Sequence, residues 1–263
     1  MLMYRDVNRA SPPDFGPTLF GCGLIGVLNP SGEIKRTVLT PEGRTKLNPL
    51  PDREFYASPR FVKHVDEKFI SNLRDLYGQI LRPEMEILDL CSSWVSHLPD
   101  EVVYERVVGH GLNAQELARN PRLSYFFVKD LNKDQKLEME DSTFHAVLCT
   151  VSVQYLQEPE KVFAEVYRVL RPGGVFIVSF SNRLFYEKAI AAWRDGTGYS
   201  RVQLVVQYFQ CVEGFTQPQV IRKLPNAEQG NSFFSQIAGI FGLLSGSDPF
   251  YALIVFRKIG WMS

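Results

Sequence analysis

The clearest alternation of hydrophobic and polar positions lies between Glu140 and Arg183. His145 to Val151 is a short apolar run of the length and composition of a buried strand. Glu158-Pro159-Glu160 then opens a helix, with proline in its first turn and acids at the positive end of the helix dipole. Val162, Phe163, Val166, Val169 and Leu170 fall on one face of it. Arg171-Pro172-Gly173-Gly174 stops the helix, and Val175 to Phe180 runs on as a second buried strand. Two apolar strands joined by a helix predict a right-handed parallel crossover.

Further strands are predicted over Glu86–Leu90, Arg106–Gly111 and Ser124–Val128. Asn113 caps a short helix through Ala118, closed by Pro121. Ser58-Pro59 reads as an N-cap and first helical proline. Phe61, Val65, Phe69, Leu73, Leu76, Tyr77 and Ile80 then predict a long amphipathic helix to about residue 81. A helix is expected over Phe185–Trp193. Val202–Gln210 mixes both periods and is read as helix, while Gln219–Leu224 and Phe250–Lys258 read as the last two strands. Residues 1–54 differ from the rest. Seven of the sixteen prolines and six glycines fall there, so this segment is expected to be an arm lying on the body, with residues 55–263 forming the domain. The apolar stretch 231–247, rich in glycine and serine, is too short to cross a bilayer and is expected to be a lid or packed helix.

Composition narrows the function classes. The chain has 263 residues, 45% of them hydrophobic, which suits a substantial core. Formal net charge is zero, giving no global attraction to nucleic acid or an anionic membrane, and membrane contact is disfavoured. Cys22, Cys91, Cys149 and Cys211 make no CxxC pair, and the histidines at 64, 97, 110 and 145 show no ligand spacing, so no metal is expected. A reducing compartment follows from the cysteine usage, with a cytoplasmic location as the default and removal of an organelle transit peptide left open.

The phrase RVLRPGGVFIVSFSN, preceded by DSTFHAVLC, resembles the second half of the class I S-adenosylmethionine-dependent methyltransferases. The resemblance covers residues 86 to 183 well and the rest loosely. It implies an α/β Rossmann-like sandwich, a mostly parallel seven-stranded sheet with an antiparallel last strand. It also implies S-adenosylmethionine as cofactor and a small-molecule acceptor. In open α/β sheets ligands bind beyond the carboxyl ends of the strands. The loop Cys91-Ser92-Ser93 after the first strand therefore takes the cofactor position, with Asp89 at the strand end. By the same resemblance Gly111, Leu112 and Asn113 follow the second strand at the ribose, and Asp130 and Leu131 follow the third at the adenine. Asp130 reads equally as an Asx-turn residue. Thr150 and Val151 border the cleft after the fourth strand. Tyr56 and Arg60 cap it, the guanidinium being suited to the cofactor's carboxylate. Gln154, Tyr155 and Asn182 face the acceptor, or in the first two cases simply pack. His145, standing where the family commonly has aspartate, is read as a structural variation.

The chain departs from the family's text in two places. Cys91 and Ser93 stand where its first two glycines are expected, and Gly111 stands where an acid grips the ribose hydroxyls. Either the small serines still admit the cofactor, or the cleft has narrowed and the fold serves as a binding module. A nicotinamide dehydrogenase is disfavoured, because no GxGxxG follows the first strand.

Overall fold

The structure, a computed structural model, describes residues 32–224 and 247–259. Seven strands form one sheet in the order β3-β2-β1-β4-β5-β7-β6. They are β1 Glu86–Leu90, β2 Arg106–Gly111, β3 Tyr125–Val128, β4 Phe144–Thr150, β5 Leu170–Phe180, β6 Gln219–Lys223 and β7 Phe250–Phe256. Strands β1 to β5 are mutually parallel, and β7 runs antiparallel to both β5 and β6. The predicted sheet, with its antiparallel last strand, is therefore the observed one.

The helices are α1 Asp52–Phe55, α2 Glu67–Ile80, α3 Ala114–Ala118, α4 Pro159–Val169, α5 Ala191–Arg194 and α6 Gly198–Gln210. Because side chains alternate across a strand, each buried strand feeds two cores. Ile87, Val107, Leu148 and Ile177 meet Phe69, Leu73 and Tyr77 of α2 on one face. Leu88, Val108, Val147 and Phe176 meet Phe163 and Val166 of α4 and Phe209 of α6 on the other.

Three predicted elements are corrected. The long helix does not start behind Ser58-Pro59. It starts at Glu67, where the Asp66 side chain accepts from Phe69 N–H, while the backbone N–H of Asp66 donates to Asp248 at 2.9 Å. The helix-period residue Phe61 is spent elsewhere, against Trp94 and under the Arg119 guanidinium. The expected helix over Phe185–Trp193 contracts to Ala191–Arg194, because residues 185–190 bend so that Lys188 can enter the interior beneath Asp52. The Arg171-Pro172-Gly173-Gly174 turn lies within β5, as an irregularity between the pairs Phe144–Leu170 and Ala146–Val175. Gly173 takes a φ of +79° there, and Arg257 bonds the backbone on both sides of it.

Residues 32–51 lie against the body through a buried contact with α4. Glu160, 4% exposed at its side chain, accepts from the N–H groups of Val38 and Leu39 and pairs with Arg44 at 2.9 Å. Segment 231–247 lies outside the described residues apart from its last position. No helix among the described residues is long and apolar enough to cross a membrane.

Candidate functional site

The strand order reverses between β1 and β4, and a cavity of about 370 Å³ opens at the carboxyl ends of the strands there. Its floor comes from the ends of β1 to β4, and its roof from residues 52–65 and 183–185. Of the residues singled out in the sequence, Tyr56, Arg60, Asp89, Cys91, Ser92, Ser93, Gly111, Leu112, Asn113, Asp130, Leu131, Thr150, Val151 and Tyr155 all line it. Gln154 does not. It is buried below, its side-chain amide donating to Val151 O at 2.9 Å and its backbone carbonyl accepting from Ile190 N–H, so its role here is packing. Asn182 is exposed and outside the lining, which continues instead through Arg183, Leu184 and Phe185.

The loop after β1 is folded tightly onto β2. Cys91 adopts φ +55°, a left-handed conformation unusual for a residue with a side chain. It thereby gives the loop the backbone path that a glycine would supply. His110 holds this path: its Nδ1 accepts from Cys91 N–H at 3.2 Å and its Nε2 lies 2.8 Å from Lys129 O. That pattern assigns the neutral Nε2–H tautomer. Ser92 N–H donates to His110 O at 2.6 Å, and Asn120 donates to Ser93 O at 2.9 Å.

The two departures from the family's text are one linked change. A Cβ added at Gly111 would lie 2.6 Å from the Ser92 carbonyl oxygen. The loop occupies the space that an acidic side chain at position 111 would need, so glycine there is required by the way Cys91-Ser92-Ser93 lies.

Burial raises the Asp89 carboxyl to about 6, opposed by the hydrogen bond it accepts from Ser92 Oγ at 2.6 Å. Cys149, on β4 opposite the end of β1, interacts with Cys91 so as to lower the Cys91 pKa and raise its own, while burial opposes the first effect and adds to the second. Cys149 is wholly enclosed, as a structural thiol would be, whereas Cys91 faces the cavity.

The Asn113 side chain is fully committed. Its oxygen caps α3 through Gln115 and Glu116 N–H, and its amide donates to Tyr56 O and Ala57 O. It therefore stitches the roof to β2. Asp130 accepts from Asn132 N–H at 3.0 Å, the Asx-turn geometry, while still lining the cavity; the two sequence readings coexist. Val151 takes φ +52°, the second strained residue with a side chain at the cavity wall, and Thr150 Oγ1 lies 3.0 Å from the Tyr77 hydroxyl.

The roof is aromatic and cationic. The Arg60 guanidinium stacks on Phe55 at 4.4 Å and lies 5.5 Å from the ring centres of Tyr56 and Phe185. Its Nη2 donates to Phe55 O at 2.9 Å; its Nη1 has no partner among the described residues. His64 packs edge-on against Phe185 and its pKa is lowered, first by burial and then by Arg60. Burial raises the Tyr56 phenol, keeping it protonated.

Sequence reasoning missed Glu116, Asp52, His64, His110 and Phe185. Glu116 lines the cavity from α3 and accepts from Arg60 N–H at 2.6 Å; burial raises its pKa, and Arg60 opposes this. A signal existed, since Asn113 and Glu116 stand at the spacing of a capping box, where the acid is placed to reach back over the helix start. Asp52 sits under the roof, held by Lys46, by Lys188 at 2.7 Å and by Asn132 at 2.9 Å. Burial lowers the Lys46 pKa, against the pull of Asp52. No local pattern announces a cluster assembled from residues 46, 52, 132 and 188.

Comparison with known proteins gives a consistent picture. The family described as "Methyltransferase domain" matches residues 95–178. A sterol 4-C-methyltransferase of Caenorhabditis elegans is 48% identical over 44 residues, 17% of this chain and 13% of that protein. Thiol S-methyltransferase TMT1B of Mus musculus is 34% identical over 70 residues, 21% of this chain and 29% of that protein. The match thus spans under a third of either relative. Among solved structures, the (4+2)-cyclase SpnF aligns with a TM-score of 0.54 at 15% identity, covering 80% of this chain and 92% of that one. A phosphoethanolamine N-methyltransferase of Haemonchus contortus in complex with S-adenosylmethionine gives 0.49 at 14% identity, covering 78% and 56%.

Proposed function

We infer that this chain, which belongs to the class I S-adenosylmethionine-dependent methyltransferase family, binds S-adenosylmethionine in the cavity at the ends of β1 to β4 and transfers its methyl group to a small-molecule acceptor. The observation that carries the reading is the cavity itself. It lies at the topological switch point and reaches an acid at the end of β1, a second acid after β3, and the loop between them.

Asp89 and the Ser93 amide take the amino-acid end of the cofactor, on a loop whose path is held by the Cys91 and Ser92 amides bonding His110. Gly111, Leu112 and Asn113 offer backbone to the ribose, and Glu116 supplies from α3 the carboxylate that position 111 has no room to carry. Asp130 and Leu131 take the adenine, and Thr150 and Val151 flank the reacting centre. Tyr56 and Arg60 close the roof, with Tyr155 toward the acceptor. The cofactor supplies an activated methyl group, open to direct displacement. What falls to the protein is alignment of the nucleophile and exclusion of water. The relatives are named for a sterol and for a thiol, two different acceptors, so neither is carried over to this chain.

The test is formation of S-adenosylhomocysteine from S-adenosylmethionine when the protein is incubated with pooled small-molecule acceptors, followed by mass spectrometry. Product above blank, reduced in Glu116→Gln, supports methyl transfer. Tight cofactor binding with no product in any pool would favour a second reading, in which the fold holds the cofactor without transferring its methyl. Cys91 in the glycine position and the absence of an acid at Gly111 motivate that alternative, as does likeness in fold to a protein named as a cyclase.

A further inference from the structure

Charge is not spread evenly around the cavity. Asp89 and Asp130 lie at the ends of β1 and β3, on the side assigned above to the cofactor. Asp52 is neutralised by two lysines. Lys129 lines the cavity beside Asp130, paired with Asp134, while Arg60, His64, Lys63 and Arg183 line the roof, where Arg60 and His64 lie against Phe185. Lys63 and Arg183 are rim residues whose partners, Glu67 and Asp248, lie outside the lining. Arg60 is different: its Nη1 is buried without an acceptor among the described residues. Glu116, which also lines the cavity, accepts from the Arg60 backbone N–H through Oε1. A buried donor left unpaired is costly, and the usual resolution at a binding site is that the ligand completes it.

The guanidinium also has a direction. It stacks toward Phe185, which follows β5, and Phe185 in turn meets Tyr155 from the end of β4 and the edge of His64. The charge therefore stands over the acceptor half of the cavity, among aromatic faces. From this arrangement we propose that the acceptor is a small molecule with a flat apolar body and a carboxylate, the body lying against Phe185 and Tyr155 and the carboxylate pairing with Arg60.

This deepens the methyl-transfer reading and rests on it. Phe55 O holds Nη2 while Nη1 is buried without an acceptor among the described residues, which suits a planar anionic group. The aromatic walls select against a fully hydrated anion. His64, its pKa lowered by burial and by Arg60, adds a hydrogen-bonding group beside the body, edge-on to Phe185.

The test uses protein saturated with S-adenosylhomocysteine and two probes, sodium benzoate and neutral benzamide, titrated by calorimetry with NMR saturation transfer for weak binding. Benzoate is expected to bind about tenfold or more tightly than benzamide, and Arg60→Gln to remove that preference. Arg60→Lys should retain part of it, since the charge remains without the fork. The thermal unfolding midpoint, the control for a folded protein, should stay within about 3 °C of the unaltered protein in both variants. Equal binding of the two probes, no binding of either, or benzoate binding indifferent to Arg60→Gln would overturn the proposal. So would a loss of S-adenosylhomocysteine binding in Arg60→Gln as large as the loss of benzoate, which would give Arg60 to the cofactor. Failure of the unaltered protein to bind S-adenosylhomocysteine would remove the methyl-transfer reading itself, and titration with S-adenosylhomocysteine alone reports that separately.

Discussion

Asp89 shows how one carboxyl can govern both ligand and stability. Burial favours its protonated form and moves ionisation from 3.8 up to about 6. For stability the sign is that of a raised acid: its contribution is full below pH 3.8 and is lost as pH rises through about 6. For a ligand carrying an ammonium and a sulfonium the sign reverses, because the ionised form is the partner. Cofactor affinity should rise as pH increases from about 5 to 7 and level off above, and Asp89→Asn should flatten that rise. Calorimetry in matched buffers measures both. Gly111 gives a second prediction at this scale. Gly111→Ala puts a methyl group against the Ser92 carbonyl and should lower stability by about 1–3 kcal/mol, read by urea unfolding. An unchanged midpoint would mean that the loop gives way freely. Neither effect was legible in the sequence, where Cys91 and Gly111 read as separate departures; only their contact through the Ser92 carbonyl joins them.

At the scale of elements, the apolar runs of β1, β2 and β4 and the periodic face of α4 were legible, because burial on one or both faces is written directly into residue type, while α6 mixed both periods. Elements held by distant partners were not. Residues 57–66 carry the right period and a good capping signal for a helix, yet long-range bonds bend them into a roof: Asn113 to Tyr56 and Ala57, Glu116 to Arg60, and Asp248 to Asp66. The stretch from Phe185 to Ile190 gives up its helix for the buried Lys188–Asp52 pair in the same way. The contact of residues 38–44 with α4 should behave as a structural clasp. Glu160→Ala would leave two backbone donors unpaired and remove one of the two ion pairs of Arg44, that with Glu158 remaining, and should cost about 2–4 kcal/mol. Thermal or urea unfolding reads the loss. Cofactor affinity should change little, since Glu160 does not line the cavity.

For the whole molecule, the sheet order, the switch point and the acids beyond the strands make one site, and most of its floor could be named from the sequence. Tyr56 and Arg60 of its roof could too, but Asp52, His64 and Phe185 could not, because distant partners and not local period bring their segments over the cavity. If the floor binds the cofactor, Cys91 must become inaccessible when it does. Alkylation of Cys91 by iodoacetamide, followed by peptide mass spectrometry, should slow by about tenfold or more in the presence of S-adenosylhomocysteine, while buried Cys149 stays unmodified throughout. The most direct measurement is calorimetric titration of the purified protein with S-adenosylmethionine, beside Ser93→Trp, which fills the loop's side of the cavity. The account predicts one site per chain at about micromolar Kd, weakened at least about tenfold in the variant. No heat and no thermal shift at millimolar ligand would contradict it.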